Sequence, residues 1–183
     1  MTINAARLAA IFVAAVMLSS CATTPEPTPS TTTSTQASTS PTAIAGTLAE
    51  LPGYTTTSIA AVDVYPTFTG SQFSDVTAAI VSQRGDAVLR VVVGRLESGN
   101  SDAFVESFLS DLSDRMAQAN PPKTVATESE QLDGHSVTHF NVAAGTEGYT
   151  YAQGSTVAIA ISTGGLETDA SRDAFAKILA NLT

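Results

Sequence analysis

Apolar residues recur at helical spacing in two stretches of the chain and at two-residue spacing through much of the remainder. In "SDAFVESFLSDLSDRMAQANPP", Phe104, Val105, Phe108, Leu109, Leu112 and Met116 fall on one face, which predicts an amphipathic helix. Ser101 or Asp102 is placed to cap its start, and Asn120-Pro121-Pro122 stops it. Glu106, Ser110, Asp111, Ser113, Asp114 and Gln118 occupy the opposite face, the pattern of a solvated surface. A second helix is expected in "TDASRDAFAKILANL", where Ala174, Phe175, Ile178, Leu179 and Leu182 line up and Thr168 or Asp169 can cap.

The β-type runs pair off around turns. "VTAAIVSQRGDAVLRVVVGRL" reads as a hairpin, and "YTYAQGSTVAIAIS" as another about Gln153-Gly154-Ser155. "HSVTHFNVAA" alternates, and an earlier strand is expected within residues 54–64. Short hairpin loops make neighbours antiparallel. The order strands, helix, strands, helix therefore predicts an α+β fold: a single antiparallel sheet with two amphipathic helices packed on it. Leu89, Val91 and Val93 share one face of their strand, while Val88 and Val92 share the other with Arg90. Apolar residues on both faces mean either cover on both sides of the sheet or a hydrophobic groove on the less covered one.

Ahead of these elements stands a different pattern. Leu8 to Leu18, eleven residues without a charge, follow the single cation Arg7. A helix of that length reaches about 16 Å, against a hydrocarbon core of roughly 30 Å. It is too short to span a membrane and matches the apolar core of a secretory signal. The segment ends in Leu18-Ser19-Ser20-Cys21, and Cys21 is the only cysteine in the chain. This motif resembles the lipobox of bacterial lipoproteins. The resemblance implies cleavage after Ser20 and acyl chains on Cys21, one of which holds marginally and two stably. The other reading is an ordinary secreted protein with one chance cysteine, which no second cysteine is present to pair.

Thr, Ser and Pro dominate residues 22–42, with Glu26 the one charge. Such a stretch cannot bury a core and is expected to be a disordered stalk. About 25 residues reach roughly 28 Å as a coil and about 78 Å as polyproline II. The chain is thus divided into a signal (1–20), a lipidated cysteine and stalk (21–47) and an α+β domain (48–183). Stalks of this composition behind a lipobox are similar to those of actinobacterial lipoproteins. The order of elements is in turn similar to small PsbP-like α+β sandwiches, some of which occur as such lipoproteins.

Charge narrows the partners. The formal net charge is −9, and loss of Arg7 with the signal takes it to −10. That argues against nucleic acid and against electrostatic docking on anionic lipid, so the anchor is expected to be covalent.

Candidate chemistry is sparse. His135 and His139 share a strand face but lie about 13 Å apart along it, too far to ligate one metal ion. No metal and no cofactor are expected. Arg84-Gly85-Asp86 resembles the integrin-recognition tripeptide, although glycine followed by aspartate also suits a turn. No Gly-x-Ser-x-Gly elbow is present, and "GTEGYTYAQG" lacks the lysine and helix of a phosphate loop. Tyr149 and Tyr151 share a strand face and, with Phe104, Phe108 and Phe175, are the candidate lining of a ligand pocket; the same residues equally suit a core.

The expected protein is therefore no enzyme. It is a lipoprotein facing the extracytoplasmic side of the cell membrane, with a domain that binds an envelope protein or cell-wall polymer. The alternative is a carrier for a lipid or other hydrophobic ligand. Replacing Cys21→Ala is expected to leave the chain unprocessed or to release it into the medium, read by fractionation and intact mass. A variant still processed and membrane-bound would exclude lipidation at this residue.

Overall fold

The computed structural model describes residues 44–143, 145–163 and 169–182, all within one compact unit. Cys21, the signal segment and the stalk to residue 43 lie outside the described residues. Seven strands form one antiparallel sheet: β1 (Thr55–Ser58), β2 (Phe73–Gln83), β3 (Asp86–Leu96), β4 (Val125–Leu132), β5 (His135–Val142), β6 (Thr146–Gln153) and β7 (Thr156–Ser162). The helices are α1 (Ala61–Val64), α2 (Ser101–Ala117) and α3 (Asp169–Ala180). Spatial order is β1-β2-β3-β7-β6-β5-β4. Two meanders, β1–β3 and β4–β7, are thus joined where β3 pairs with β7, and α2 carries the chain from one to the other.

The fold is α+β as expected, with a larger sheet and a greater strand content than the sequence pattern indicates. Both faces of the sheet are covered. Leu89, Val91 and Val93 of β3 pack with Ala158 and Ala160 of β7 against Ala174, Phe175, Ile178 and Leu179 of α3. Their alternates, Val92 and Ile159, face Phe108 and Leu112 of α2 together with Val64, Tyr65 and Phe68. Alternation of side chains across each strand accounts for this division. The small residues of β7 let α3 approach closely enough for Phe175 to stack on Tyr149, with ring centroids 5.4 Å apart.

Three expectations change. The packed chain starts before Leu48: Ile44 is 2 % exposed, and its N–H donates to Asp75 Oδ2 at 3.0 Å. The cap of α2 is Asn100 rather than Ser101 or Asp102, its Oδ1 accepting from the Asp102 N–H at 2.7 Å. An asparagine oxygen reaches the free amides of a first turn as well as serine or aspartate does. Strand β4 was not expected at all, because "VATESEQL" carries little apolar alternation. It is an edge strand, paired only with β5, and most of its side chains face water.

Two strand glycines are overlaid by aromatic rings. A Cβ at Gly94 would meet the Phe73 ring, and one at Gly148 would meet both the Phe140 ring and the Ala160 carbonyl. A ring can turn aside, whereas a ladder carbonyl cannot move without breaking the β6–β7 pairing. Gly148→Ala is therefore expected to cost about 1–3 kcal/mol, and Gly94→Ala clearly less. Urea unfolding at unchanged m-value measures both; equal costs would mean that the Ala160 carbonyl is not the obstacle.

Candidate functional site

Helix α2 is pinned at both ends. Ser101 Oγ donates to the Gly154 carbonyl in the β6–β7 turn at 2.9 Å, and the Lys123 N–H donates to the Met116 carbonyl at 2.9 Å just before β4. The helix thus crosses the sheet from the turn end of β6–β7 to the start of β4. It leaves uncovered the corner where β4 turns into β5. A cleft of about 330 Å³ opens there.

Asp102 and Glu106, four residues apart on α2, form one wall of this cleft, with Val105 and Leu109 at its base. Ser136, Thr138 and Thr150 supply hydroxyls from the sheet. Thr138 and Thr150 are direct partners across the β5–β6 ladder. Thr150 is 1 % exposed and lines the cleft. Among the described residues, no ion pair involves Asp102 or Glu106. Both carboxylates stand on the same wall of the cleft.

The other face carries a titratable cluster. His139 of β5 sits between Glu128 of β4, 3.1 Å from Nδ1, and Glu147 of β6, 3.2 Å from Nε2. Its ring stacks on Tyr149 at 5.0 Å between centroids. Glu147 is buried, while the Glu128 side chain is 71 % exposed. The cluster ties three adjacent strands together beside a hollow of about 220 Å³ lined in part by Ala126 and Asn141. Among the described residues, no group of three or more His, Cys, Asp or Glu is placed to hold a metal ion. His135 stands apart, edge-on to Tyr151 at 5.5 Å.

The five candidate pocket residues divide between the two faces. Phe104 and Phe108 lie on the α2 side, Phe108 edge-on to Phe140 at 5.7 Å. Phe175, Tyr149 and Tyr151 lie beneath α3 on the other. A sheet separates the two sets, so one cavity is not lined by both. Phe104 and Phe108 do border an open groove of about 310 Å³ with Phe68, rimmed by Asp111. Arg84 and Gly85, both with positive φ (55° and 95°), form the exposed β2–β3 turn, and Asp86 opens β3.

No family model, no curated protein and no solved structure matches the chain.

The groove is braced by Tyr65, whose hydroxyl donates to Asp111 Oδ2 at 2.9 Å while Arg115 Nε donates to the same oxygen at 2.9 Å. Burial, then the Asp111 hydrogen bond and charge, push the Tyr65 phenol up to about 12. The hydrogen bond from Arg115 holds the Asp111 carboxyl below its usual value. Tyr54 is likewise pushed up to about 12, by burial and by its bond to Asp173. Both phenols hold their protons more tightly folded than unfolded, so their stabilisation is whole below about pH 10 and is lost as pH rises toward 12. Tyr65→Phe is therefore expected to be less stable than the wild type by a constant margin near neutrality. That margin should narrow above about pH 10. Denaturant midpoints across alkaline pH measure it, and a margin independent of pH would contradict the Tyr65–Asp111 bond.

Proposed function

We propose that this chain is an envelope lipoprotein, held on the extracytoplasmic side of the membrane by acyl chains on Cys21. Its α+β unit binds a partner and does no catalysis. The cleft between α2 and the β5–β6 ladder supports this reading most, because carboxylates and hydroxyls converge there at the surface. The largest aromatics, by contrast, are used on one another: Tyr149 and Phe175 are 0 % exposed and stacked, and Phe140 is 1 % exposed against Phe108. Stacked, closed rings are core rather than the lining of a lipid cavity. The Leu18–Cys21 motif and the charge of −9 support a covalent anchor and a partner other than nucleic acid.

One observation favours the second reading, a carrier of hydrophobic ligands: the groove bordered by Phe68, Phe104 and Phe108. Native mass spectrometry of the mature chain, released from detergent micelles, separates the two. Covalent acyl mass on Cys21 with no further lipid is expected. A stoichiometric, dissociable lipid would establish the carrier, and an unmodified Cys21 would remove the anchor.

A further inference from the structure

The sheet ends in two open edges, β1 and β4. Strand β1 is four residues long, and the chain turns from it into α1. Strand β4 is eight residues long, and its register with β5 runs unbroken from Val125↔Val142 to Leu132↔His135, without a bulge or a proline. No described strand pairs with its outer side. Backbone N–H and C=O groups of alternate residues therefore stand in a row along that side, a template for one more strand. The side chains decide which strand fits. Glu128 and Glu130 share a face of β4, about 7 Å apart along it. The Glu128 side chain is 71 % exposed, and Glu130 Oε2 lies 3.6 Å from Arg172 Nη2.

A second copy does not fit this edge. Two β4 strands paired antiparallel about a twofold axis place side chains of the same face opposite each other. The two registers of greatest overlap set Glu128 against Glu130, or Glu128 against itself, and like charges directly opposite are destabilising. The same carboxylates favour a strand with cations at alternate positions. Beside them, on the same face, lies the hollow of about 220 Å³ lined by Ala126, Thr127, Glu128, His139 and Asn141. It is smaller than the roughly 300–1,000 Å³ of small-molecule pockets. One long side chain from a strand laid along β4 suits it, with the stem over Ala126 and the charged head at Glu128. We infer that the open edge of β4 binds an extended basic segment of a partner protein. The segment adds to the sheet as an eighth strand, with lysine or arginine facing Glu128 and Glu130. The chain's net charge of −9 draws such a segment toward it. This role rests on the folded unit being a binding module, but it uses a surface apart from the α2 cleft, which opens on the opposite face of the sheet.

The test is a titration of the full-length mature chain in neutral-detergent micelles with an octapeptide of alternating threonine and lysine, at neutral pH and fixed low ionic strength. Three comparison peptides share its length: one with glutamate for lysine, one with its lysines in a single block, and one N-methylated at every amide. Fluorescence anisotropy gives affinity, and amide hydrogen exchange locates the site. The alternating lysine peptide is expected to bind about tenfold more tightly than each comparison peptide. It is also expected to slow exchange at alternate amides of residues 125–132. Glu128→Gln and Glu130→Gln are each expected to weaken binding about threefold, while thermal melting shows the fold intact. Equal binding of the block peptide would overturn the assignment, leaving only charge attraction. Equal binding of the N-methylated peptide would overturn strand addition, and equal binding of the glutamate peptide would overturn the selection of cations. Dimers of the chain in sedimentation, with the same amides protected, would make a second copy the occupant and overturn the partner assignment. Protection elsewhere, or no binding, would overturn the edge itself; the wider binding-module reading falls only if the chain also fails to bind any purified cell-wall polymer or envelope protein.

Discussion

The pairing of β3 with β7 is the constraint on which the rest depends. Seven register pairs, from Leu89↔Ser162 to Arg95↔Thr156, join two meanders that would otherwise each end in an open edge. The seam is buried on both faces: Leu89, Val91, Val93, Val157, Ala158, Ile159 and Ala160 are all 0 % exposed, and Val92 is 1 %. Because it is covered from both sides, the two helices must sit on opposite faces. Residues that alternate on β3 and β7 then need apolar character on both faces at the centre of the seam, and Val91–Val93 and Val157–Ala160 have it. Moving the pairing by one residue would exchange the two faces and place Phe175 of α3 over the wrong set of side chains.

How much of this was legible follows from where each signal resides. The helices were visible because burying one face needs apolar residues at three- and four-residue spacing, as Val105, Phe108 and Leu112 show. The β2–β3 and β6–β7 hairpins were visible because their strands are buried and apolar. Strand β4 was not, since an edge strand facing water needs no apolar alternation. Its signal was in the turn. Asp133-Gly134, with φ of 51° and 84°, is the type I′ pair that closes a two-residue hairpin. Counting outward from that turn places Glu128 opposite His139, the register the structure shows. Glu147 was harder to find, because its position beside His139 depends on the β5–β6 loop, which has no equally clear turn signature. The candidate pocket failed to gather for a related reason. Phe104 and Phe175 are both core residues of amphipathic helices, and sequence spacing alone does not tell which face of the sheet each helix covers.

The cleft follows from geometry that no local pattern encodes. Asp102 and Glu106 read as part of a solvated helix face, and Ser136 and Thr138 as ordinary strand polar residues. They meet only because α2 starts on the β6–β7 turn and ends beside β4, leaving one corner of the sheet bare. The diagonally opposite region is treated differently. There residues 59–72 fold over the sheet, with Tyr65 and Phe68 against Phe108 at 4.9 and 5.6 Å between ring centroids.

That contrast bears on function. Where the fold needed an apolar surface covered, a segment of the chain covers it with aromatic side chains. At the β4–β5 corner the surface is hydroxyl-bearing instead: Thr150 stands directly beside Thr138 across the ladder, with the Asp102 and Glu106 carboxylates on the helix wall of the same cleft. The fold therefore leaves polar groups at the surface there, where elsewhere it uses aromatic side chains for closure, and that open polar corner is what the proposed binding role rests on.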